Sequence, residues 1–83
     1  MRVLILGGDG MLGHRLLRQL SERHEVRVTL RRELESYQGC GLFHTGNAFP
    51  GVDVRSDESL LGALAVFQPD AIVNAVRAYR DGL

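Results

Sequence analysis

Val3-Leu4-Ile5-Leu6 runs directly into Gly7-Gly8-Asp9-Gly10-Met11-Leu12-Gly13. A short run of branched aliphatic residues stopped by glycine reads as a buried strand of a parallel sheet. Beyond the glycines, Leu12, Leu16, Leu17 and Leu20 recur at helical spacing, with Arg15, Arg18, Gln19 and Glu22 on the other face. Gly7, Gly10 and Gly13 thus form a G-x-x-G-x-x-G pattern where strand gives way to helix. Gly7 permits the tight turn, Gly10 lets a phosphate approach the backbone, and Gly13 lets the helix pack close to the sheet. Met11 and Leu12 open the helix, whose first N–H groups are left to meet an anion. In an α/β domain this is where the pyrophosphate of a dinucleotide is held.

The rest of the chain extends that unit. Val26–Leu30 reads as a second strand with Arg31-Arg32 at its carboxyl end, which completes a right-handed βαβ unit. Glu33 to Gly51 carries scattered glycines and Pro50 without a sustained period, a loop-rich connection with room for a helical turn at Glu33–Gln38. Val52-Asp53-Val54 is expected as the third strand. Ser56 is the expected cap of a second helix, with Asp57 and Glu58 in its first turn and a stripe of Leu60, Ala63, Leu64 and Phe67. Pro69 ends it, and Ala71–Val76 reads as the fourth strand. The expectation is an α/β fold: a partial Rossmann fold with a parallel sheet of four strands, order 3-2-1-4, and flanking helices. Strands are expected near 2–6, 26–30, 52–54 and 71–75, and helices near 11–22 and 57–67. Residues 1–76 form the N-terminal part of this domain, and 77–83 a polar tail.

Composition narrows the functional classes. The chain has 83 residues and zero formal net charge. Its arginines are scattered, so no basic run marks a nucleic-acid footprint. The apolar start is too short for a membrane span or a signal peptide. One cysteine, Cys40, allows neither a disulfide framework nor a cysteine metal site, and fits a reducing cytoplasm. His14, His24 and His44 lack metal-ligand spacing. The chain contains no lysine, which rules out a Walker A phosphate loop. A chain this short is marginal alone, and complete dinucleotide-binding enzymes are several times longer, so a fragment is expected.

Arg31 and Arg32 stand where the second strand meets an adenosine ribose. An acid there accepts from the 2′-OH of NAD, and an arginine suits the 2′-phosphate of NADP. The pair favours NADP, with NAD also compatible; two solvated surface arginines are the plainer alternative. Asp53 either accepts from an adenine amino group or is a surface residue on the approach to a helix. Asn74 either supports the cofactor and its neighbouring loop or bonds its own backbone at a strand end. Tyr37 and Tyr79 are not followed four residues later by lysine, since Gly41 and Leu83 stand there.

The segment Val3-Leu4-Ile5-Leu6-Gly7-Gly8-Asp9-Gly10-Met11-Leu12-Gly13-His14 resembles the start of extended short-chain dehydrogenases/reductases. Its Gly-Met-Leu-Gly-His core is similar to the dTDP-4-dehydrorhamnose reductase-like, sugar-nucleotide-binding branch. So is Gln68-Pro69-Asp70-Ala71-Ile72-Val73-Asn74-Ala75-Val76, which resembles that branch's fourth strand. The resemblance covers residues 1–76. It implies an NAD(P)-binding Rossmann sheet and reduction of a 4-keto-sugar nucleotide through a Ser/Thr and a Tyr-x-x-x-Lys pair downstream of the fourth strand. Leu6 departs from the usual threonine, and Arg77-Ala78-Tyr79-Arg80 departs from the usual small residue and apolar loop. The catalytic pair is absent, so this chain would place the cofactor, with a nucleotide-sugar substrate only in a full-length protein. The alternatives are a non-catalytic NADP-binding regulator, like the regulatory subunit of methionine adenosyltransferase, and a truncated, non-functional product prone to self-associate through an exposed sheet edge.

Overall fold

The computed structural model describes residues 1–76; the expected tail at 77–83, with Tyr79, lies outside the described residues. The elements are β1 (Arg2–Leu6), α1 (Met11–Leu20), β2 (Glu25–Thr29), a 3-10 helix (Leu34–Cys40), β3 (Ala48–Phe49), α2 (Asp57–Phe67) and β4 (Ala71–Asn74). The four strands form one sheet in the order β3-β2-β1-β4, and every pairing is parallel. The fold is the expected α/β arrangement.

Strand alternation sorts the side chains onto two faces. Val3 and Ile5 of β1 stand in register with Val26 and Val28 of β2, and these four pack in one cluster with Leu17 of α1. Leu16 and Leu20 complete the contact of α1. On the other face, Arg27 of β2 lies over the rings of Phe49 and Phe67, 5.4 and 5.1 Å from their centroids. Phe67 belongs to α2, so the two helices cover opposite faces of the sheet.

The helix ends follow local chemistry, and they differ. Ser56 Oγ accepts from the Ser59 amide at 3.4 Å, and Asp57 and Glu58 face the positive end of the α2 dipole. Gln68 takes a left-handed conformation after Phe67, and its amide closes onto the Leu64 carbonyl. Asp70 then fixes the start of β4 beside β1. Its carboxylate accepts from the Arg2 amide at 2.8 Å, and its own amide donates to the Arg2 carbonyl at 2.8 Å. The start of α1 has no such provision: Gly10 caps it without a side-chain hydrogen bond, and its first turn holds no acid.

Three expectations need correction. The third strand is Ala48–Phe49, earlier than residues 52–54. Pro50 has no N–H to donate to a ladder, and Gly51, at φ 68°, turns the chain. Val52 stays beside β2 through one bond to the Leu30 carbonyl, but Val52-Asp53-Val54 does not continue as a strand. Second, the helical turn allowed for at Glu33–Gln38 is present but starts and ends later, as a 3-10 helix over Leu34–Cys40 ended by left-handed Gly41. Third, Leu12 does not join the buried stripe of α1; it is 56 % exposed. The remaining differences are element ends displaced by one or two residues.

Candidate functional site

Thr29, the last residue of β2, ties down the glycine turn. Its hydroxyl accepts from the Gly7 amide at 3.0 Å, and its carbonyl accepts from the Gly8 amide at 2.8 Å. Gly7 has φ 83°, a left-handed value that costs glycine little and other residues more. Gly8 lies against β2, where an added Cβ would fall 2.4 Å from the Val28 Cβ. Gly13 lies against the turn itself, where a Cβ would fall 2.2 Å from the Gly7 carbonyl oxygen. The Val28 side chain against Gly8 and the backbone of the turn against Gly13 therefore demand glycine at both positions.

Gly10 differs. A Cβ there would have its nearest neighbours at 3.7 and 3.9 Å, which is ordinary contact. The fold does not require glycine at this point. A side chain here would instead occupy the open space at the uncapped start of α1. That geometry fits a ligand phosphate: free amide N–H groups, the positive end of a helix of ten residues, and no Cβ in the way.

This space belongs to a cleft of about 830 Å³ at the carboxyl ends of the strands. Of the residues expected from sequence, Gly7, Gly10, Met11, Leu12, Arg31, Asp53 and Asn74 line it. Met11 and Leu12 form an exposed apolar rim. Gly13 is not part of the wall; it sits behind the turn. Arg32 is not part of the wall either, and its main chain is held from both sides. Its amide donates to the Tyr37 hydroxyl at 3.3 Å, and its carbonyl accepts from the Gly51 amide at 3.1 Å.

Asp53 is engaged within the cleft. Its Oδ1 accepts from the Arg55 amide at 3.0 Å and from Arg55 Nε at 3.2 Å, and Oδ2 accepts from Nη2 at 3.2 Å. The Arg55 guanidinium, then its amide, holds the Asp53 carboxyl below its ordinary value. Asn74 Oδ1 accepts from the Val76 amide at 3.0 Å, so the side chain bonds its own backbone while facing the cleft. Arg31 takes part in no side-chain hydrogen bond or ion pair among the described residues.

Sequence reasoning missed Asp9, Arg15, Thr29 and Arg55, all of which line the cleft. Arg15 was legible: it lies four residues after Met11, on the same face of the helix. Arg55 was legible from its place two residues after Asp53, a spacing that suits a local ion pair. Thr29 and Asp9 carry no signal without the pairing of β1 with β2. A shallower depression of about 460 Å³ lies at the amino ends of the strands, around Met1, Arg2, His24 and Asp70. Its polar groups pair with one another, as Arg2 does with Asp70 and the Met1 amine with His24 at 3.3 Å. No helix N-terminus opens into it, so the carboxyl-end cleft is the candidate site. Among the described residues no three His, Cys, Asp or Glu gather as for a metal ion, and no helix is long and apolar enough to cross a membrane.

The NAD dependent epimerase/dehydratase family matches residues 3–82. No curated protein and no solved structure gives a match to the chain. The family match spans nearly the whole sequence, so the chain belongs to the NAD dependent epimerase/dehydratase family, whose cofactor is a nicotinamide dinucleotide.

Proposed function

We propose that this member of the NAD dependent epimerase/dehydratase family binds NADP in preference to NAD and serves as the cofactor-placing part of a nucleotide-sugar reductase. The uncapped start of α1 carries the reading. Where α2 satisfies its first turn with Ser56 and two acids, α1 leaves its amides and its dipole to an external anion, beside the open approach at Gly10.

Gly7 and Gly10, with the amides of Met11 and Leu12, would hold the pyrophosphate, and Gly13 would let the helix reach that position. Arg31 would meet the 2′-phosphate, with Arg32 adding positive charge nearby. Asp53, anchored by Arg55, and Asn74 would border the adenine and the inner end of the cleft. When bound, the nicotinamide supplies or accepts hydride. The chain's own residues bind and orient it.

The Gly-Met-Leu-Gly-His segment and the strand ending Val73-Asn74 support the dTDP-4-dehydrorhamnose reductase-like branch. That branch donates a proton through a tyrosine served by a lysine, and this chain has no lysine. A second reading of the same cleft is a non-catalytic NADP-binding regulator, which needs only the dinucleotide contacts named above. Both readings belong to the cytoplasm, in keeping with the single thiol. Isothermal titration with NADPH, NADH and a dTDP-4-keto-sugar tests them together. The expected result is dinucleotide binding, tighter for NADPH, without steady cofactor oxidation. Absence of binding by either dinucleotide would reject the reading.

A further inference from the structure

Tyr37 lies outside the glycine turn and outside the strands, yet it links Asp9 on the cleft wall to the main chain one residue past Arg31. Its hydroxyl donates to Asp9 Oδ2 at 2.9 Å and accepts from the Arg32 amide at 3.3 Å. Burial first, and then the hydrogen bond to Asp9, push its pKa above the ordinary 10, so the phenol keeps its proton and donates at neutral pH. The ring stands edge-on to Phe43 at 5.4 Å, and Phe43 stands edge-on to His14 of α1 at 6.1 Å. The 3-10 helix is thereby docked over the start of α1.

Two consequences meet at the cleft. The Arg32 peptide is fixed by Tyr37 on one side and Gly51 on the other, and Arg31, one residue earlier, lines the cleft. Asp9 lines the same cleft, which places a carboxylate in the space that Arg31 serves. A carboxylate near a bound phosphate repels it, and a hydrogen bond donated to that carboxylate takes up part of its charge and reduces the repulsion.

We propose that Tyr37 is a positioning residue that sets cofactor specificity: by holding the Arg32 amide it fixes the peptide next to Arg31, which meets a ligand's 2′-phosphate, and by donating to Asp9 it takes up part of that carboxylate's charge. This rests on the dinucleotide reading above. Tyr37 does not itself touch the ligand. It acts on the one phosphate by which NADP differs from NAD.

The test is calorimetric titration of the whole chain with NADPH and NADH. Tyr37→Phe keeps the ring against Phe43 and loses both hydrogen bonds. NADPH affinity is expected to fall about tenfold, with NADH within about twofold, since one charge-assisted hydrogen bond carries about that factor. Asp9→Asn retains an oxygen acceptor for Tyr37 and removes the charge, so NADPH affinity is expected to hold or rise. Combining Asp9→Asn with Tyr37→Phe should recover part of the loss. An equal loss for both cofactors would make Tyr37 merely structural and overturn the proposal, as would no loss. If Tyr37→Phe does not fold, a folded Asp9→Asn chain with weakened NADPH binding overturns it equally. If the unaltered chain binds neither cofactor, the dinucleotide reading fails and this inference with it; if both bind and their ratio ignores Tyr37, this inference alone fails.

Discussion

The Gly7 amide donates to the hydroxyl of Thr29 across 3.0 Å, joining the end of β1 to the end of β2. Thr29 is only 1 % exposed, so water has little access to replace that acceptor. Thr29→Val preserves the side-chain shape and leaves the Gly7 N–H without its partner. An unsatisfied group of this kind costs about 1–3 kcal/mol. The urea midpoint is expected to fall accordingly, dinucleotide affinity should fall with it, and Thr29→Ser should restore both. An unchanged midpoint in Thr29→Val would show that the hydroxyl does not anchor the turn.

Gly10 and Gly13 belong to one motif but are expected to respond unequally. Gly13→Ala forces a Cβ to 2.2 Å from a backbone oxygen, so the turn and α1 must part. The loss should reach about 3 kcal/mol, the upper range of overpacking, which a small domain tolerates poorly. Gly10→Ala meets only ordinary contacts, and its cost should be about 1 kcal/mol, as for an N-cap glycine replaced by alanine. Circular dichroism melts of the two variants check this. Similar melts would mean that the two glycines are not divided between packing and ligand approach.

Both glycines are visible in the sequence, but their division of labour is not. The strand-to-helix turn, the sheet order and the Ser56 cap were legible because each rests on local pattern: a buried aliphatic run, a helical period, a hydroxyl before acids. Ala48–Phe49 was not, because two residues amid Gly46, Pro50 and Gly51 carry no period. Only the pairing of Val28 and Thr29 with Ala48 and Phe49 makes them a strand. The cleft was half legible. Arg31 follows from its place just beyond β2, and Asp53 reaches the cleft although the strand expected around it ends earlier, at Phe49, whereas the link from Asp9 to Tyr37 spans 28 positions and depends on tertiary packing.

Arg27 gives a test of the second face of the sheet. Its side chain stacks on Phe49 and Phe67, while its buried Nε has no partner among the described residues. Arg27→Met keeps an unbranched chain against both rings and removes the orphan donor, so stability should hold or rise. Arg27→Ala removes the stacking too and should cost about 1–2 kcal/mol. Chemical denaturation of the two variants would distinguish packing from charge. A loss in Arg27→Met equal to that in Arg27→Ala would show that the guanidinium itself is required.

Asp53 has a defined pH signature. Its carboxyl is lowered from 3.8 chiefly by the Arg55 side chain. A carboxyl lowered on folding adds stability above its unfolded value and loses that contribution as pH falls through the folded one. The contribution therefore disappears only in acid, below 3.8. Arg55→Gln should move the Asp53 midpoint upward toward that value, read from its side-chain carbon resonance. An unmoved midpoint would mean that the ion pair does not persist in solution.

The central claim is that the uncapped start of α1, open at Gly10, holds a dinucleotide phosphate. Calorimetric titration of NADPH into the chain and into its Gly10→Val variant tests it most directly. The unaltered chain is expected to bind with one-to-one stoichiometry. The folded variant is expected to show no measurable heat, because the valine side chain occupies the phosphate's approach. Equal affinity in both, with the variant's circular dichroism unchanged, would contradict the account.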